Sequence, residues 1–317
     1  MTKTERMAQV MTAMKSFDKV NYHKAEVLPE LFALQQEMVD QVFADEVGDT
    51  SRLKIWDVEN RLAEKNEALG HVADETLERF RESSKAVSNL IRSEISGSRG
   101  EMQAFGRLDK ITGVHKLLRN VELSSETRRT ELDGIVLTRK GAFIIEVKNT
   151  RKNILIDEEG NYYRMGEYTN WDCNIGEKMS MREALLGELL RRHGYEDCKI
   201  TSIVVFTNRQ VEVRNKLKTL KVSFLGPLPY IIDEFEGEDV YSSAELEAMA
   251  AAIEEERCNE EYAIDVDINQ YKQEFAAVVA QLDEAQAMTD RKEARRKASI
   301  MDVLMRIFSP ARVEEAA

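Results

Sequence analysis

The 317-residue sequence predicts a mixed α/β core with a helical region on each side of it. Short apolar runs separated by turn residues fill positions 114–157, which is typical of β-strands. An amphipathic segment at 174–194 that ends on a glycine predicts a helix, and the β-branched run at 200–208 predicts a buried strand. The flanking regions are poor in glycine and proline and rich in helix-forming residues, which predicts the outer helices.

The chain is longer than a typical domain of about 100–200 residues, which predicts two or three units. We expect a helical, coiled-coil-like arm at 1–97, an α/β domain at 98–235, and an acidic helical region with a basic amphipathic tail at 236–317. The small flexible cluster "SGSRG" at 96–100 is where we place the first boundary.

An apolar stripe predicts a long helix in the N-terminal region. Apolar residues recur from Ile55 to Ile91 at close to heptad spacing, with a slip of one position before Leu77. Such a helix must pack one face against something. Two alternatives stay open: an arm that forms a homo-oligomer or binds a protein partner, and an antiparallel helical hairpin packed on its own chain, with its turn near "DEVGDTS" (45–51).

Cysteine use and hydropathy indicate a cytoplasmic protein. Cys173, Cys198 and Cys258 are odd in number and far apart, which fits a reducing compartment better than a disulfide framework. The N-terminus lacks the apolar core of a signal peptide, and no run approaches the ~20 apolar residues of a membrane helix. The four histidines show no zinc-ligand spacing.

Charge is distributed unevenly along the chain. The formal net charge of −13 argues against a general affinity for polyanions. However, Arg107–Lys152 holds eleven basic against six acidic residues, and Lys199–Lys221 holds six against one. Asp233–Glu261 holds twelve acidic residues and one basic residue. Basic charge therefore concentrates in the expected α/β core, as contact with the phosphates of a nucleic acid requires.

The segment "ELDGIVLTRKGAFIIEVKN" (131–149) predicts a β-hairpin that carries acids within apolar strands. If a two-residue turn joins the strands, the numbers of paired residues sum to 279 and Asp133 lies opposite Glu146. If Gly141 takes a bulge position, the register moves by one and the two acids become near neighbours. Opposed Cβ atoms lie ~5 Å apart, so either register brings the two carboxylates together.

Two adjacent buried carboxylates repel each other unless a cation lies between them. Mg²⁺ or Mn²⁺ suits this position because it prefers hard oxygen ligands. Lys148 lies two residues after Glu146 and so shares its face of the strand. From there it could orient an attacking water or stabilise negative charge on a phosphate.

The motif D-(x12)-E-V-K across a hairpin resembles the active-site motif of the PD-(D/E)XK nuclease superfamily, and its surroundings resemble the nuclease-related domain, NERD. The glycine–glutamate pair on the first helix of that domain is matched by Gly100 and Glu101 in "GSRGEMQAFGRL". Asp133 matches the acid before the apolar strand, and Glu146 and Lys148 match the E-x-K strand. The helix at 174–193 and the strand "IVVFTN" match the elements that follow.

The resemblance implies a restriction-endonuclease-like mixed sheet over about 98–235 and a Mg²⁺- or Mn²⁺-dependent endonuclease that cleaves nucleic acid, with DNA favoured. It implies that Glu101, Asp133 and Glu146 are metal ligands and that these three and Lys148 are the catalytic residues.

One departure from the family pattern favours an alternative function. The helix after the E-x-K strand often starts with Asn-Pro and then Gln, whereas here Asn174 is followed by Ile175 and by Lys178 in place of the glutamine. The alternative is a catalytically silent nuclease-like scaffold or nucleic-acid-binding protein that acts through its helical arms.

Overall fold

The computed structural model describes residues 21–22, 24–44, 49–125, 128–166, 174–258, 262–264 and 266–308. His23, Cys173 and residues 45–48 of the expected turn lie outside these ranges. The helices are α1 (Lys24–Val42), α2 (Ile55–Ala68), α3 (Asp74–Leu108), α4 (Ile175–Arg192), α5 (Leu228–Asp233), α6 (Ser243–Glu255) and α7 (Ile268–Phe308), with a 3₁₀ turn at Thr50–Arg52. The strands are β1 (Asn21–Tyr22), β2 (His115–Ser124), β3 (Arg129–Thr138), β4 (Gly141–Lys148), β5 (Ile154–Ile156), β6 (Tyr162–Arg164), β7 (Ile200–Phe206), β8 (Val213–Asn215), β9 (Lys221–Phe224) and β10 (Tyr262–Ala263).

The chain divides into a helical unit, residues 1–91 with 261–317, and an α/β unit, residues 92–260. The mixed α/β class with helices at both ends is therefore confirmed. The division differs from the expected regions, because α6 packs on the sheet of the α/β unit while α7 belongs to the helical unit. None of the described helices is long and apolar enough to cross a membrane.

The core of the helical unit is built from α1, α2 and the first parts of α3 and α7. The ring of Phe80 on α3 stacks on Tyr271 of α7 at 5.6 Å between centroids. The ring of Phe275, also on α7, lies 5.5 Å from the ring of Phe80. Apart from Val72, the apolar stripe at 55–91 thus packs against helices of its own chain, as the second of the two alternatives expects. An oligomer formed through residues 1–97 stays a prediction.

The slip in the apolar stripe marks a break between two helices, so the expectation of one continuous helix is wrong. Helix α2 ends at Ala68 and α3 begins at Asp74. Between them Gly70 and His71 both take positive φ angles, of 80° and 61°, which ends the helical path. Val72, which the stripe includes, is exposed.

The cluster "SGSRG" is not a linker, because α3 runs through residues 96–100 without interruption. Its small residues serve a close contact within the α/β unit. A Cβ on Gly100 would lie 2.9 Å from Asn149 Cβ and 3.4 Å from Val147 Cγ1. Glycine therefore allows α3 to approach the end of β4 more closely than any other residue would.

The main sheet of the α/β unit has the strand order β2-β3-β4-β7-β9. Its first three strands are antiparallel neighbours, whereas β4, β7 and β9 run parallel. One face packs on α4 and α6, and the other packs on α5 and the end of α3. A second sheet has the order β6-β5-β8.

The side chains of β3 and β4 alternate between these two faces. Phe143 and Ile145 contact the α3 and α5 side, while Ile135 and Ile144 contact the α4 side. Because successive residues of a strand point to opposite faces, the odd positions of β3 and the even positions of β4 face α4. The acids predicted in this hairpin therefore lie on the α4 face.

Replacing Gly100 by alanine is expected to destabilise the protein by about 1–2 kcal/mol, because its Cβ overlaps the end of β4. Gly106 is the matched control, since it lies on the same helix and its Cβ would meet nothing within 4 Å. Gly106→Ala is expected to stabilise the helix by about 0.5–1 kcal/mol. Urea unfolding measures both changes, and equal shifts in the same direction would contradict the close contact.

Candidate active site

The β3–β4 hairpin brings Asp133 and Glu146 together in the first of the two expected registers. The registered pairs run from Thr138–Gly141 to Gly134–Ile145, so the paired numbers sum to 279 and the next pair is Asp133 with Glu146. At this point the backbone N–H of Val147 donates to Asp133 Oδ2 at 2.7 Å. The bulged register is therefore excluded.

Glu146 is buried, with 3% of its side chain exposed, and it contacts three cationic side chains. Its Oε1 lies 3.2 Å from Lys148 Nζ and 3.1 Å from Lys178 Nζ. Its Oε2 accepts a hydrogen bond from Arg182. Lys148 thus shares the face of Glu146 as its spacing predicts, and its ammonium also lies 5.7 Å from the centre of the Tyr162 ring.

Arg182 on α4 is a site residue that sequence reasoning missed. Its side chain is 4% exposed and ion-pairs with Glu146. Its Nε donates to Thr130 Oγ1 at 3.1 Å, and a terminal nitrogen donates to the carbonyl of Glu131. Arg182 therefore ties α4 to both strands of the hairpin. One feature of the sequence could have indicated it: Arg182 lies four residues after Lys178, and residues four apart lie on one face of a helix.

The first residues of α4 have three different roles in the structure. Asn174 caps the helix by accepting a hydrogen bond from the backbone N–H of Glu177 at 2.8 Å. Ile175 is fully buried in the core under the sheet. Lys178, one turn after Asn174, donates a hydrogen bond to Glu146 Oε1 at 3.1 Å.

The two paired acids have opposite pKa shifts. Burial opposes ionisation of Glu146, but the charges of Arg182, Lys148 and Lys178 outweigh it and lower its pKa to about 2. Burial, followed by the charge of Glu146, raises the pKa of Asp133 to about 7. Near neutral pH the pair therefore holds one ionised carboxylate and one that readily keeps a proton.

Glu101 lies on α3 directly after the glycine that lets this helix approach β4. Asn149 Nδ2 donates to the carbonyl of Ser96 at 2.8 Å, and Thr207 Oγ1 donates to Asn149 Oδ1 at 2.7 Å, which ties α3 to the ends of β4 and β7. The charge of Glu101 contributes to the raised pKa of Asp133. Even so, among the described residues no three Asp, Glu, His or Cys side chains are grouped closely enough to hold a metal ion.

The donor set of the hairpin fits a divalent cation. Asp133 and Glu146 supply carboxylate oxygens, which are the ligands that Mg²⁺ and Mn²⁺ prefer. Burial, followed by the charge of Glu146, makes the ionised form of Asp133 unfavourable and raises its pKa, and a bound cation would stabilise that ionised form. The hairpin thus brings Asp133, Glu146 and Lys148 together. Glu101 lies close enough for its charge to act on Asp133.

The comparison with protein families matches residues 96–207 to the nuclease-related domain. This range contains every residue of the site described above. Searches of curated proteins and of solved structures found no match to the chain. Over residues 96–207 the chain is therefore similar to the nuclease-related domain, NERD, a type of domain that belongs to the PD-(D/E)XK nuclease superfamily.

Proposed function

We propose that the protein is a Mg²⁺- or Mn²⁺-dependent endonuclease that hydrolyses phosphodiester bonds in DNA. The observation that carries this proposal is the convergence of Asp133, Glu146 and Lys148 at the end of one strand pair. Two basic segments of the α/β unit, Arg107–Lys152 and Lys199–Lys221, support a nucleic-acid substrate, since phosphate contacts supply much of the affinity of such proteins.

We assign the metal ligands to Asp133 and Glu146, with Glu101 as a third. A divalent ion bound there would supply Lewis acidity and lower the pKa of a coordinated water. Lys148, whose side chain is 19% exposed, would orient the attacking water and stabilise negative charge on the phosphate. Arg182 is a positioning residue in this scheme, because it holds the carboxylate of Glu146 in place.

A supercoiled plasmid tests the proposal directly. The wild-type protein is expected to nick or linearise it with Mg²⁺ or Mn²⁺ and to stop when EDTA is added. Asp133→Ala and Lys148→Ala are expected to lose this activity by 100-fold or more, the range seen when one acid–base or charge-stabilising group is removed. Cleavage at equal rates by the wild type and both variants would contradict the assignment of Asp133 and Lys148 to the active site.

A second function, binding of nucleic acid without cleavage, is favoured by the three cations on Glu146. In that case no divalent metal would support cleavage. A labelled DNA duplex would still bind, and its affinity would fall steeply with salt because bound phosphates release counterions. Measuring binding and cleavage on the same duplex distinguishes the two functions.

A further inference from the structure

The position of Lys178 bears directly on the proposed metal site. Its Nζ lies 3.1 Å from Glu146 Oε1, the oxygen that Lys148 Nζ also approaches at 3.2 Å, while Arg182 takes Oε2. Both oxygens of Glu146 therefore already have cationic partners. A divalent ion that takes Glu146 as a ligand must compete with at least one of them.

The three cations differ in how easily they can leave. Arg182 is 4% exposed and is held by Thr130 and the carbonyl of Glu131, so its withdrawal would break a buried network. Lys148 projects from the same strand as Glu146 and lies against the ring of Tyr162. Both of these side chains are therefore fixed close to Glu146.

Lys178 is the most exposed of the three, at 25%, and reaches Glu146 from a different element, the first turn of α4. Within the described part of the chain, Glu146 is its one ion-pair partner. Its flexible four-carbon stem can carry the ammonium away without breaking another ion pair described there. Lys178 is thus the cation that a metal ion displaces at least cost.

We propose that Lys178 is a tethered counter-ion, which neutralises Glu146 while no metal is bound, leaves it when a divalent ion binds, and then contacts a phosphate of the nucleic acid. This inference rests on the proposed metal site. It gives the ammonium two successive anionic partners, the carboxylate and then the phosphodiester.

The two roles give opposite effects when the charge is removed. Lys178→Gln takes away a competitor for Glu146, so Mn²⁺ is expected to bind about five- to tenfold more tightly. The same change removes a phosphate contact, so a DNA duplex is expected to bind about three- to tenfold more weakly, with a smaller salt dependence. A side chain that only held the site in shape would weaken both.

The test uses the full chain and two probes. Calorimetric titration measures binding of Mn²⁺ alone, and fluorescence anisotropy measures a labelled duplex in Ca²⁺, which we use to limit cleavage. Lys178→Arg keeps the charge and is expected to behave like wild type with the duplex. Lys85→Gln removes an exposed lysine of the helical unit and controls for loss of one charge.

Tighter Mn²⁺ binding together with weaker duplex binding in Lys178→Gln supports the inference, and Lys178→Met, which removes the same charge, must repeat it. If the wild type binds Mn²⁺ and Lys178→Gln binds it equally well or more weakly, this inference is wrong. The proposed nuclease function would not be affected by that result. Unchanged duplex binding overturns the phosphate role. If neither wild type nor variant binds Mn²⁺, both this inference and the proposed metal site fail.

Discussion

Replacing Asp133 by asparagine is expected to stabilise the folded protein at pH 8 while abolishing cleavage. The pKa of Asp133 is raised from 3.8 to about 7, mainly by burial, so the folded state binds a proton there more strongly than the unfolded state. The free energy of unfolding therefore falls as pH rises from about 4 through 7. An asparagine has no charge to bury and retains an oxygen that can accept from Val147.

The expected gain from Asp133→Asn is about 2–3 kcal/mol larger at pH 8 than at pH 5, from roughly two pKa units at ~1.4 kcal/mol each. Glu146 does not interfere, because its lowered pKa of about 2 places its own pH dependence below about 4.5. Urea unfolding in EDTA at both pH values measures the gain. Asp109→Asn, which alters an exposed acid of the same unit, is the control. A gain that does not change with pH would contradict the burial of this charge.

Replacing Arg182 by methionine is expected to destabilise the protein by about 3–5 kcal/mol, as loss of one partner of a buried ion pair does. The change leaves Glu146 buried with only the two lysines and frees the acceptors at Thr130 and Glu131. Urea unfolding at pH 7 measures the effect.

Two variants show whether this cost comes from the buried pair. Arg214→Met removes an arginine whose partner Glu212 is about half exposed, and it is expected to cost under about 1 kcal/mol. Arg182→Met combined with Glu146→Gln is expected to recover part of the loss, since the unpaired charge is gone. A cost for Arg182→Met as small as that for Arg214→Met would show that the pair is not buried.

The hairpin was predictable because strand geometry is local and periodic. The two-residue turn at Arg139 and Lys140 fixes the register, and the register places Asp133 beside Glu146. The spacing of Glu146 and Lys148 then fixes which face they share. Turn length and a period of two thus predicted this part of the site from a short segment of sequence.

The cationic side of the site was not predictable in the same way. Contact of Arg182 with Glu146 depends on how α4 packs across the sheet, which no local spacing determines. The cluster at 96–100 was misread for a related reason, because Gly100 serves a close approach of two elements rather than flexibility. The pairing of α7 with α3 in the helical unit joins segments far apart in sequence, and periodicity alone does not choose such partners.

The central claim is that Lys148 and its two neighbouring carboxylates perform hydrolysis. Initial rates of supercoiled plasmid cleavage at saturating Mn²⁺, compared between wild type and Lys148→Met, test it most directly. We expect the variant to bind Mn²⁺ at least as well as wild type, because an ammonium near Glu146 Oε1 has been removed, and to cleave 100-fold or more slowly. Equal cleavage rates in the two proteins, or no cleavage by wild type with Mn²⁺ bound, would contradict the claim.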